Sequence, residues 1–152
     1  MEPIRQYQNA FAVAGLTART TNREESAPAG GRIPGLWARF FGENVMGRTP
    51  HRDTADLRNF GVYSGYESDA HGAFDVTAGV AVTAGATVQI EAGDYLVFDA
   101  RGVMPQAVLD AWARAWQYFE AHPEVKRRYR SDFEAYTSPV AAVVCVGVEK
   151  SA

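Results

Sequence analysis

The residues of this chain best placed to do chemistry lie in the segment "SDFEAYTS", residues 131–138, where Glu134 stands between Phe133 and Tyr136. Side chains alternate along a strand, so Glu134 and Tyr136 share one face while Phe133 and Ala135 share the other. If the Phe133 face meets the helices, the opposite face presents a carboxylate beside a phenol. Removing an ionised carboxylate from water is costly and raises its pKa, and a ligand cation pairing with it relieves that cost. Tyr and Trp rings around such a site add cation–π attraction of about 0.5–2 kcal/mol each. These contacts are weakly directional, so one pocket can accept cations of many shapes. The ordinary alternative for Glu134 is a solvated residue on a sheet surface.

Further candidates for the walls of such a site are aromatic. Trp37 and Phe41 fall on one face of the segment "IPGLWARFF", and Trp112 and Trp116 on the stripe of "AWARAWQYF"; aromatics at helical spacing more often belong to a core. Tyr63 and Tyr66 fall on opposite faces of their strand, so at most one is expected at a cleft. Tyr95 opens a later strand as a wall residue, whereas Phe74 belongs by alternation to the core. Glu67 and Asp69 flank a turn and are expected to face solvent.

Other chemistries find little support. His51, His71 and His122 are scattered without a carboxylate or second His at metal-ligand spacing, so neither a metal nor another cofactor is expected. The chain contains no G-x-S-x-G elbow, and "GGRIPGLW" lacks the Lys-Ser/Thr ending of a phosphate loop. The basic run "KRRYR" (126–130) reads as a solvated loop that complements a helix C-terminus. A net charge of −3 supplies no basic field for nucleic acid or an anionic membrane. The single cysteine, Cys145, sits in the apolar run "VAAVVCVGV" and reads as a small core side chain. The N-terminus lacks an apolar signal core, and no run approaches a membrane span, so a cytoplasmic protein is expected.

The elements that must position these residues are legible by period. At 152 residues the chain fits one domain, with its core over about residues 11–149. "FAVAGLTAR" (11–19) reads as a strand. Ile33, Leu36, Trp37, Phe40 and Phe41 recur at helical spacing, with Pro34 in the first turn and Gly42 at the end. Two strands, 60–68 and 72–83, follow as a hairpin, the second alternating like a half-buried strand. The order then repeats: a strand (93–100), a helix (104–122) bounded by Pro105 and Pro123, a short strand around "DFEAYT", and "PVAAVVCVGVE" (139–149). Two β-α-β-β units would place two helices on one face of a mainly antiparallel sheet, an α+β domain.

Taken in order, "VAGLTARTTN", "IPGLWARFF", "FGVYSGYESDAHGAFDVTAGVAV", "GDYLVFDARG", "AWARAWQYF" and "DFEAY" resemble the GyrI-like effector-binding family. This is the small-molecule domain of AraC-type and MerR-type multidrug regulators, also found alone. The resemblance implies two β-α-β-β units related by a pseudo-twofold axis, with a cleft between them for lipophilic cationic or aromatic compounds. It also implies that the acidic residue of the "FE-x-Y" strand, here Glu134, contacts the cation. Only ten residues precede the first strand read here, so a DNA-binding region is expected to be absent. That removes direct transcriptional control from the expected roles unless another chain supplies such a region. Some relatives in the wider family are ring-opening hydrolases, and one acts on gyrase. Ring-opening catalysis, a protein partner such as gyrase, and a homodimer therefore remain alternatives at this stage.

Overall fold

A computed structural model of the chain describes residues 2–28 and 30–150. Its strands are β1 (Ile4–Gln8), β2 (Phe11–Thr20), β3 (Asn59–Ser64), β4 (Phe74–Val82), β5 (Val88–Ile90), β6 (Gly93–Arg101), β7 (Ser131–Ser138) and β8 (Ala141–Gly147). Its helices are α1 (Asn22–Glu25), α2 (Ile33–Gly42), α3 (Val45–Arg48) and α4 (Gln106–Ala121). The strands form one curled antiparallel sheet in the order β1-β6-β8-β7-β3-β4-β2-β5. In each half the first strand lies outermost, the last in the middle and the second innermost. The two inner strands, β3 and β7, pair at the centre with Gly61 opposite Glu134. The duplicated α+β arrangement read from the sequence is therefore the architecture, with β1 and β5 added at the edges.

Both long helices cover one face. The α2 residues Leu36 and Phe40 pack on Phe74, Val76, Ala78 and Val80 of β4. The α4 residues Val108, Ala111 and Ala115 pack on Phe98, Val144 and Val146. Small residues on α4 let its axis sit close to the sheet. The N-terminus of α2 has no cap from its own Arg32; the Glu25 carboxylate of α1 instead accepts the Arg32 and Ile33 amides at 2.8 and 3.2 Å. An acceptor supplied from the preceding turn satisfies donors that a helix start leaves orphaned.

The opposite face is apolar too. Phe11, Phe60, Phe133 and Tyr95 stack edge-on or tilted, with centroids 5.2–6.3 Å apart, around Val13, Val62 and Cys145. The 131–138 segment takes the converse of the orientation posed for it: Phe133 and Ala135 point away from the helices, and Glu134 and Tyr136 lie beneath them. It also corrects the half-buried reading of β4, whose Thr77 and Ala81 are buried on the far side. β1 falls inside the ten residues read as preceding the first strand; its exposed Ile4 and Tyr7 gave no alternating signal. The first hairpin is shorter than expected, so Tyr66 stands in the 65–73 loop rather than on a strand.

Cys145 is 5% exposed, and burial pushes its thiol up to about 12, with Arg58 opposing and Asp132 reinforcing the shift. We expect Cys145 to react with an aromatic disulfide reagent at least ~100-fold more slowly in the native protein than in denaturant, because the thiolate is the nucleophile. Reaction at the denatured rate would mean that this face opens readily.

Candidate functional site

Glu134 lies at the central β3–β7 seam, 3% exposed, in the gap between α2 and α4. Three side chains donate to its carboxylate. The Tyr63 hydroxyl and Trp112 Nε1 reach Oε2 at 2.6 and 2.7 Å, and the Tyr136 hydroxyl reaches Oε1 at 2.6 Å. Burial raises its pKa, while the bonds from Tyr136, Tyr63 and Trp112 pull it back down. Among the described residues no basic side chain pairs with it. Burial, followed by the charge of Glu134, raises the Tyr63 and Tyr136 hydroxyls, so both stay protonated as donors at neutral pH. Gly61 makes room for the group: a Cβ there would lie 2.8 Å from Glu134 Oε1 and 3.2 Å from Trp37 Cζ2.

Aromatic rings flank the carboxylate on both sides. Tyr63 and Trp112 meet at 5.2 Å on the α4 side, and Trp37 and Tyr136 meet at 5.3 Å on the α2 side. Trp37 also stacks on Phe41, which is 57% exposed. A cavity of about 160 Å³ opens on the α4 side, lined by Asn22, Tyr63, Tyr66, Ala70, Phe74, Leu109, Trp112, Trp116 and Arg127. Glu134 lies behind Tyr63 and Trp112.

The structure rearranges several of the sequence candidates. Tyr63 and Tyr66 both line the cavity, because Tyr66 has left the strand that would have turned it away. Trp112 and Trp116 stack at 5.8 Å along the cavity wall, Trp112 also packing against the core, while the buried residues of α4 are Ala107, Val108, Ala111 and Ala115. Tyr95 lies on the far face, where its hydroxyl donates to the Glu91 carbonyl and meets Ser131 Oγ; it shares no wall with Glu134. Phe74 is both core and cavity lining.

Sequence reasoning missed a second buried carboxylate and its partner. Asp132, fully buried, accepts from the Tyr66 hydroxyl, from Arg127 Nη2 at 2.8 Å and from the Gly147 amide at 2.7 Å. The Arg127 side chain is 6% exposed, and its guanidinium lies over the rings of Trp116 at 5.0 Å and Tyr129 at 4.4 Å. The solvated reading of "KRRYR" is thereby corrected for Arg127 and for Arg128, which runs beneath the sheet to Glu91, Ala92 and Asp94. One usable signal lay in the alternation, since Asp132 shares the Glu134 face. Another lay in the recurring "WAR", at 37–39 and 112–114, which marks the two tryptophans on either side of the seam. Among the described residues no group of three His, Cys, Asp or Glu is placed to hold a metal ion.

Comparison with known proteins places this arrangement. No curated protein sequence matches the chain. A solved integron cassette protein from Vibrio cholerae is similar at 33% identity over 97% of this chain and 96% of that one, with a TM-score of 0.81. The fold is also that of SAV2435 bound to tetraphenylphosphonium, at 19% identity over 98% and 94% of the two chains and a TM-score of 0.78. A Staphylococcus aureus MU50 protein, described as a bacterial transcription regulation protein, matches at 19% identity over 99% of each chain, with a TM-score of 0.80. The family of integron-associated effector-binding proteins, Cass2, matches residues 6–144. With its duplicated sheet and buried central carboxylate, the chain belongs to this GyrI-like family of effector-binding, small-molecule-binding proteins.

Proposed function

We propose that this protein captures lipophilic aromatic cations in the cytoplasm, with Glu134 as counter-ion and Tyr63, Trp112, Trp37 and Tyr136 as its aromatic surround. Sequestration or sensing of such compounds, as in the ligand-binding domains of multidrug regulators, is the role this chemistry suits. The observation that carries this reading is a carboxylate that is 3% exposed, raised in pKa by burial and held by neutral donors rather than by a basic residue. A buried charge without a counter-charge is the state that an entering cation improves. Support comes from the tetraphenylphosphonium complex of SAV2435, which shares this fold. Both Glu134 oxygens already accept hydrogen bonds, which suits a fixed counter-ion better than a proton-transferring group, so binding is favoured over ring opening.

The test is a titration of tryptophan emission with N-methylquinolinium and with its uncharged isostere 1-methylnaphthalene. Trp112 donates to the carboxylate and lines the cavity, so its emission reports occupancy. Micromolar quenching by the cation, with at least ~10-fold weaker binding of the isostere, is expected from a charge-assisted contact. Equal affinity for the two would sink the counter-ion role.

A further inference from the structure

The charged side chain that lines the cavity is not Glu134. Among the described residues lining it, that position is held by Arg127 alone. Its Nη2 is committed to Asp132, but Nε and Nη1 are buried and find no acceptor. A guanidinium carries five donors, and a buried donor without an acceptor is destabilising. Asp132 already balances the charge, so a second full anion would be repelled. What the free N–H groups suit is an uncharged dipole with an exposed oxygen.

We propose that Arg127 is the acceptor-recognising end of this cavity, and that its ligands are aromatic compounds bearing a carbonyl oxygen. The inference rests on reading the cavity as a ligand site, but not on the sign of the charge that Glu134 selects. A cavity near 150 Å³ holds about one aromatic ring, and here the rest of a ligand reaches the rim at Leu109 and Trp116, which are 55% and 38% exposed. Trp116 also covers one side of the guanidinium, so its displacement gives a carbonyl access to the unused nitrogens. Tyr63 and Trp112 direct their polar hydrogens to Glu134 and leave their rings to the ligand. Carbonyl recognition and aromatic contact thus come from different walls.

The experiment is calorimetric and uses two matched probe pairs on the whole chain: 3-acetyl- against 3-ethyl-1-methylquinolinium, and 2-acetyl- against 2-ethylnaphthalene. In each pair the acetyl compound is expected to bind at least ~10-fold more tightly, the gain of one hydrogen bond to a charged donor. The gain should vanish in the double variant Arg127→Met/Asp132→Asn, which removes both partners and leaves no stranded carboxylate. The introduced carboxamide can still accept from the Gly147 amide and donate to the Tyr66 hydroxyl. Equal binding within both pairs on the wild-type chain, no binding by either acetyl probe, or a gain that survives in the folded double variant would overturn the proposal. The wild-type comparison decides even if the variant fails to fold. If the quinolinium pair shows no advantage over the naphthalene pair but the acetyl gain persists, cation selection fails and the Arg127 assignment stands.

Discussion

Replacing Glu134 with Gln is expected to weaken cation binding by ~30-fold or more while leaving the protein at least as stable as wild type at pH 8. The binding loss follows from removing one member of a buried charge pair, which costs on the order of 2–5 kcal/mol. The stability gain follows from geometry. Gln places its oxygen where Oε2 accepts from Tyr63 and Trp112, and its amide where Oε1 met Tyr136, whose hydroxyl turns to accept. Every partner is kept and the desolvated charge is gone. The pH dependence has a definite sign: burial raises the folded pKa above 4.5, so the folded state holds its proton more tightly than the unfolded one. That contribution is fully present below about pH 4.5 and is lost as pH rises through the folded pKa. The variant lacks this dependence, so its advantage in Tm should grow from acid to alkaline pH, by ~2–4 °C per kcal/mol for a chain of this size. A variant markedly less stable than wild type at pH 8 would show that the carboxylate is a structural acceptor rather than a strained binding group.

Gly79→Ala is expected to be the more damaging change to the fold, although it adds a single methyl. Gly79 and Gly15 face each other where β4 pairs with β2. A Cβ on Gly79 would lie 2.3 Å from the Ala14 carbonyl oxygen, and one on Gly15 would lie 2.0 Å from that of Ala78. Both obstacles are backbone of a paired strand, so relief requires the strands to separate. A loss of ~3 kcal/mol or more, about 10 °C in Tm, is expected from thermal melts. Gly35→Ala on α2 is the control: nothing lies within 4 Å of its Cβ, and alanine favours the helix by ~0.5–1 kcal/mol. A Gly79→Ala protein melting within two degrees or so of wild type would show that the close approach is not rigid. Because Ala78 pairs with Gly61 beside Glu134, Gly79→Ala should also weaken ligand binding.

Much of this could be read in advance from periodicity. The 3.6-residue stripe of 33–42 and the alternation of 74–82 put those elements where they fall, although β4 is buried on both faces rather than one. Glu134 and Tyr136 were readable as neighbours because two residues along a strand return to the same side. Which side faced the helices was not readable, since Phe133 and Ala135 are as apolar as any core face and the sheet buries both. α4 misled for a related reason: its apolar arc spans two faces, one of alanines on the sheet and one of Leu109, Trp112 and Trp116 on the cavity. Arg127 and Asp132 were hidden because a buried ion pair looks, residue by residue, like surface charge. β1 and Tyr66 depended on long-range pairing and loop path, for which local spacing carries no signal.

The seam between β3 and β7 has a mechanical consequence. α2 rests on β2 and β4, and α4 on β6 and β8, so each helix rides with its own half of the sheet. The ladder from Asn59–Tyr136 to Ser64–Ser131 is then the spine of a book whose covers carry the tryptophans. A slight change in twist along that spine strains each rung very little, yet it alters the distance between the covers appreciably. Glu134, fixed on the spine itself, stays in place while the opening above it widens or narrows. On the function proposed above, ligands of different girth would thus meet the same charge at the same depth.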